Sequence, residues 1–103
     1  FYPKADTPGC TRQSCGFRDR TADYEARGVV VLGVSFDSPA ENRAFAEKHG
    51  FRYRLLSDVT RETGLAYRAC DAREDQYPRR VTYVIGADGR IEQAVHTKDP
   101  GAQ

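Results

Sequence analysis

Val29-Val30-Val31-Leu32-Gly33-Val34-Ser35-Phe36 is nearly continuous in apolar residues and β-branched at its start. Such a run suits a strand buried on both faces, the environment of a parallel sheet. The next few residues narrow the class. Ser38-Pro39-Ala40-Glu41 combines a capping box with proline at the first helical position. A helix is therefore expected from there to about His49, closed by Gly50. A strand handed at once to a capped helix is the unit of an α/β fold.

The flanking segments repeat this alternation. Phe1-Tyr2 reads as the end of a strand, and residues 3–8 as a loop with Pro3, Thr7 and Pro8. Thr7, Pro8 and Gly9 signal a helix start, and the helix is expected over residues 10–27. Ser14, Phe17, Thr21 and Tyr24 mark one face at spacings of three and four. Gly28 stands where a left-handed residue ends such a helix. Tyr53-Arg54-Leu55-Leu56 suggests a short strand, and Asp58 a cap for a third helix reaching Tyr67. Residues 68–78 read as loop. Residues 80–85 alternate as a strand, Ala87-Asp88-Gly89 turns it, and residues 90–96 return as its hairpin partner. After Thr97 the tail is polar and expected to fray.

The 103 residues suit one domain, 1–103, with a small core. Sixteen basic and fifteen acidic side chains are scattered along the chain, which argues against a nucleic-acid binder. No stretch approaches the ~20 apolar residues of a membrane span, so no membrane partner is expected. The chain has no methionine and opens at Phe1-Tyr2-Pro3. It is therefore expected to be a piece of something longer. Three cysteines among ordinary core-forming strands do not resemble a disulfide scaffold. In a reducing cytosol, closely spaced cysteines more often serve catalysis or metal binding.

Cys10 falls at the opening of a helix, where first-turn N–H groups and the positive end of the dipole favour a thiolate. Cys15 lies five residues on, about 500° around an ideal helix and roughly 8.7 Å away between Cα atoms. That exceeds the ~7 Å reach of a disulfide. If the two cysteines pair, the start of the helix must unwind. A switching pair would behave so: Cys10 oxidises to a sulfenic acid, the first turns open, and Cys15 condenses with it. The alternative, that Cys15 is merely a small buried residue, stays open on spacing alone.

Pro3-x-x-x-Thr7-x-x-Cys10 resembles the active-site motif of the peroxiredoxins, and Phe1-Tyr2-Pro3-Lys4 before it is similar too. Cys15 followed by Gly16-Phe17-Arg18-Asp19 resembles the Q-type branch, also called bacterioferritin comigratory protein. Weaker similarity continues through Gly33-Val34-Ser35, Leu55-Leu56-Ser57-Asp58 and Arg80-Val81-Thr82-Tyr83-Val84-Ile85, covering residues 1–96. The resemblance implies a thioredoxin-like fold, a mixed sheet flanked by helices. It also implies thiol-dependent reduction of hydrogen peroxide or organic hydroperoxides, with no bound cofactor. Cys10 would be the peroxidatic thiol and Cys15 the resolving one, joined after oxidation in a Cys10–Cys15 disulfide. Thr7 would offer its hydroxyl to thiolate and peroxide, Pro3 would shield the pocket, and N–H groups near Gly9 and Cys10 would complete the peroxide site. Arg80 would stabilise thiolate and developing charge. A thioredoxin-like dithiol protein would be the reductant, a monomer the expected state and the cytoplasm the expected location.

The family's domain normally adds a hairpin, a strand and a helix before the Phe1-Tyr2-Pro3-Lys4 segment and a helix at its end. Both are absent here, and residues 68–78 are shorter than the matching loop in many Q-type members. Arg79 competes with Arg80, but adjacent strand residues face opposite ways, and Arg80 directly precedes the matching strand. Cys70 reads as a spare or partly buried cysteine rather than an alternative resolving thiol. His49 and His96 lie in unrelated elements. Zinc cysteines usually sit two to four residues apart, so no metal is expected. Two other readings remain: a general thiol–disulfide oxidoreductase, whose usual Cys-x-x-Cys is lacking, and a redox-sensing module that uses the same disulfide as a switch.

Overall fold

A computed structural model describes residues 1–96. The tail expected to fray after Thr97 lies outside the described residues. In chain order the elements are α1 (Pro8–Asp19), α2 (Thr21–Ala26), β1 (Leu32–Ser35), α3 (Pro39–His49), β2 (Arg54–Ser57), α4 (Glu62–Ala66), β3 (Val81–Ile85) and β4 (Ile91–His96).

The helix expected over residues 10–27 starts earlier, with Thr7 as N-cap and Pro8 in the first turn, and is broken into α1 and α2 at Arg20. The break has a local cause. Thr21 Oγ1 donates to the Phe17 carbonyl at 3.1 Å, and the Arg20 N–H bonds the same carbonyl at 3.2 Å. Such back-bonding competes with the helical ladder and bends it. The face expected from the spacing is present: Ser14 and Thr21 are buried, and the rings of Phe17 and Tyr24 lie 6.1 Å apart. Beyond α2, Gly28 takes φ +71°. Its N–H reaches Glu25 O at 3.1 Å and the Val29 N–H reaches Tyr24 O at 2.8 Å. This is the paired Schellman closure, which only a residue without a Cβ adopts freely.

The strand expected over residues 29–36 forms only at Leu32–Ser35, and it is not buried on both faces. Val30 is 81% exposed and Leu32 52%. Pairing sets the length. β1 runs parallel to β2 with Leu32 opposite Arg54, so Val29, Val30 and Val31 have no residue of β2 across from them. The capping box forms as expected: Ser38 Oγ accepts from the Glu41 N–H at 3.2 Å and Glu41 Oε1 from the Ser38 N–H at 3.1 Å. The third helix is shorter than expected. Asp58 is not its N-cap: that position is Arg61, without a side-chain cap bond, and α4 begins only at Glu62. The Asp58 carboxylate still accepts from the N–H groups of Thr63 (3.2 Å) and Gly64 (2.7 Å) across the intervening turn. β3 and β4 form the expected antiparallel hairpin, with a bulge between Val84 and Ile85.

Phe1-Tyr2 joins the two strand pairs. The Tyr2 N–H donates to Val34 O at 2.9 Å on one side. On the other, Phe1 exchanges bonds with Val81, N to O at 2.9 Å and back at 3.4 Å. The result is a mixed arrangement with β1 and β2 on one flank and β3 and β4 on the other. Gly33 is what lets the Tyr2 ring lie close, since a Cβ there would meet Leu55 Cδ2 at 2.6 Å and Tyr2 Cε1 at 3.2 Å. Tyr2 packs with Cys10 and Phe45 in one buried cluster, flanked by Ala5, Phe51 and Leu55. Aromatic rings extend it: Phe45 to Phe51 at 5.0 Å and Phe51 to Tyr53 at 5.2 Å. The core therefore runs directly beneath Cys10.

Candidate active site

Cys10 sits in the first turn of α1, two residues after Pro8, and is 1% exposed. Two donors converge on its sulfur. The Lys4 N–H approaches Sγ at 3.4 Å, and the Arg80 guanidinium approaches it through Nη2 at 3.5 Å. The other Arg80 terminal nitrogen donates to Gln13 Oε1 at 2.6 Å. Gln13 lies three residues after Cys10 on the same helical face and is itself buried. The guanidinium fork thus bridges helix and sulfur, a geometry its fixed plane supports well. Arg79 turns the other way, donating to Asp71 Oδ2 and to Arg68 O (2.9 Å).

Thr7 precedes the helix. Its hydroxyl donates to Lys4 O at 2.8 Å, leaving its oxygen's lone pairs to accept from a ligand. Pro3 and Gly9 flank Cys10 in the same loop and helix start, and both are half-buried. The loop is held from outside as well. Asp6, at φ +58°, accepts from Lys48 Nζ at 2.9 Å and lies 3.4 Å from His49 Nε2. These two partners hold its carboxyl below the usual carboxylate range.

Cys15 stands farther along the unbroken α1, partly buried, and all three cysteines are free. Around it the helix is pinned: Tyr53 OH donates to Ser14 O at 2.7 Å and Arg18 Nη1 to His49 O at 2.8 Å. Burial pushes the Tyr53 phenol up to about 12, so it stays protonated and a donor. Cys70 lies in the loop after α4, 5% exposed. Burial first, then the nearby Asp75 and Asp58 carboxylates, push its thiol up. Among the described residues no group of three or more His, Cys, Asp or Glu side chains is gathered to hold a metal ion. No described helix is long and apolar enough to cross a membrane.

Lys4 and Gln13 were not among the site residues expected from the sequence. Gln13 carried a usable signal in its spacing of three from Cys10. The Lys4 contact is a backbone N–H, for which side-chain identity gives no signal.

The AhpC/TSA family matches residues 1–94. The chain belongs to that family. Among its curated relatives is the peroxiredoxin Bcp of Escherichia coli, 41% identical over 97 residues, covering 89% of this chain and 62% of the relative. The peroxidoxin BcpB structure from Mycobacterium tuberculosis superposes with a TM-score of 0.90 at 30% identity, covering 99% of this chain and 68% of that one. The bacterioferritin comigratory protein of Xanthomonas campestris, described for its alkyl peroxide reduction activity, gives the same TM-score at 29% identity, covering 99% and 69%. The fold of this AhpC/TSA chain is thus the α/β thioredoxin-like fold of the peroxiredoxins, and its relatives include members of the Q, or Bcp, branch. The chain spans between 42% and 62% of the length of the curated relatives it matches.

Proposed function

We propose that this chain carries the catalytic segment of a thiol peroxidase that reduces hydrogen peroxide and organic hydroperoxides. The observation that carries the proposal is the buried Cys10 sulfur with a backbone N–H and an arginine fork aimed at it. A cation and first-turn N–H groups offer a thiolate stabilising charge, and the thiolate is the nucleophile. In the first step the Cys10 sulfur attacks one peroxide oxygen, the O–O bond breaks, and the other oxygen leaves as alkoxide or hydroxide and takes a proton. Arg80 is placed to stabilise the charge that develops on that leaving oxygen. Thr7, Pro3 and Gly9 would line the peroxide's approach, with the Thr7 hydroxyl oxygen accepting a hydrogen bond from the incoming peroxide.

The product is a sulfenic acid on Cys10. Cys15 then condenses with it, forming the S–S bond and releasing water. Because an unbroken α1 keeps the two residues roughly 8.7 Å apart, this step requires the first turns of α1 to unwind. A dithiol protein of the thioredoxin kind would return the disulfide to two thiols by exchange. The kinship with a relative described for alkyl peroxide reduction supports the substrate class.

Stopped-flow oxidation of the reduced, full-length protein, with mass spectrometry of the product, tests the reading. Fast loss of two thiols with a Cys10–Cys15 linkage is the expected result. C10S should abolish peroxide consumption, and C15S should complete one turnover and halt at the sulfenic acid. Normal activity in C10S, or a disulfide through Cys70, would overturn it.

A further inference from the structure

A chain of buried polar contacts runs from α3 to the Cys10 loop. Asn42, 2% exposed, donates through Nδ2 to Ser35 Oγ at 3.1 Å and to Ser57 Oγ at 2.9 Å, and accepts from Tyr2 OH. Ser35, fully buried at the end of β1, donates to Asp37 Oδ2 at 2.8 Å and accepts from the Asp37 N–H at 3.3 Å. The same Asp37 oxygen accepts from the Ala5 N–H at 2.7 Å. Ala5 packs against the cluster of Tyr2, Cys10 and Phe45. It directly follows Lys4, whose own N–H lies on the Cys10 sulfur at 3.4 Å.

Two successive N–H groups thus have fixed and different targets: Lys4 the sulfur, Ala5 the Asp37 carboxylate. The loop carrying them has no regular backbone ladder of its own, so side-chain anchors must decide how these peptides face. Asp6 is anchored to Lys48, but that contact is exposed and weakly restraining. The Asp37 contact is shorter, charge-assisted and built onto a buried network.

We propose that Asp37 is a positioning residue for Cys10, its carboxylate orienting the Lys4–Ala5 peptide so that the Lys4 N–H points at the sulfur. The proposal rests on the thiol-peroxidase reading and names a residue that contacts neither sulfur nor peroxide. Its chemistry is that of an acceptor. An asparagine in the same place keeps an oxygen for Ala5 and Ser35, whereas alanine removes it.

The test uses the reduced, full-length protein and follows two reactions at Cys10 by peptide mass spectrometry: oxidation by hydrogen peroxide and alkylation by iodoacetamide. D37A should slow peroxide oxidation by about tenfold while changing alkylation by less than about threefold. D37N should stay within about twofold of the parent for both. Should D37A not fold, D37S, which keeps a partner for Ser35 but is too short to reach Ala5, is read in its place. Equal peroxide rates in the parent and the folded truncation would overturn the role of Asp37. So would D37N as slow as D37A, or an equal fall in both reactions, which would indicate altered access rather than orientation. A parent whose Cys10 reacts no faster than a free cysteine peptide would instead remove the thiol-peroxidase reading beneath the proposal.

Discussion

Arg80 makes two contacts with one planar group, to Cys10 Sγ and to Gln13 Oε1. Lysine offers the same charge at a single point and cannot span both. R80K is therefore expected to lower the rate constant for peroxide oxidation of Cys10 by about tenfold, and R80A by about a hundredfold. Stopped-flow kinetics of the reduced variants checks both, and equal rates in R80K and the parent would mean that the fork is irrelevant. At this scale the sequence is only partly legible. Cys10 stands out by its place just after Thr7-Pro8-Gly9, and Arg80 by opening a strand. Asp37 and Ala5 give no comparable signal, because they meet across 32 residues and one of the partners is a backbone N–H.

The elements divide along physical lines. Local chemistry is readable wherever a few neighbouring residues decide the outcome: the Ser38–Glu41 box, the Gly28 closure and the turn at Gly89. It is not readable where distant pairing decides. Val29 and Val30 look like a buried strand, yet the start of β2 opposite Leu32 leaves them exposed. Likewise, neither residue type at 20 and 21 forbids a continuous helix, yet α1 ends at Asp19 and α2 begins at Thr21. The Gly33 position belongs here as well. G33A should destabilise the protein by roughly 1–3 kcal/mol, because the new methyl overlaps Leu55 and crowds Tyr2. Urea unfolding would show it as a lower midpoint with unchanged slope. The tie between the Cys10 loop and α3 should depend on pH. Lys48 and His49 hold the Asp6 carboxyl low, so its folded value lies below its unfolded one. Its stabilisation is then fully present above the unfolded value of about 3.9 and is lost as pH falls through the folded value. The difference in melting temperature between parent and D6N should accordingly shrink as pH falls below about 3.9. A difference that grows on acidification would contradict that assignment.

Across the whole molecule, the proposed cycle predicts a change confined to one region. Oxidation with one equivalent of peroxide should lower the 222 nm ellipticity by an amount corresponding to roughly one to two helical turns. Hydrogen exchange should then speed up at Thr11, Arg12 and Gln13 while the amides of Asn42 to Phe45 keep their protection. Uniform loss of protection would mean that the core opens with the helix. The Tyr53 and Arg18 contacts give a reason for a boundary, since both grip α1 at or beyond Ser14.

Cys10 belongs to the same buried cluster as Tyr2 and Phe45, so the sulfur proposed to react is also a packing atom. An oxygen added to that sulfur puts a polar hydroxyl against aromatic rings, where it is penalised unless it finds a partner. Chemistry and cohesion then share one degree of freedom. In the proposed cycle, whatever free energy the oxidised sulfur loses by staying inside would become a push toward the unwound helix, and reduction would restore the grip. A melting curve of a molecule with that cycle would then report its redox state.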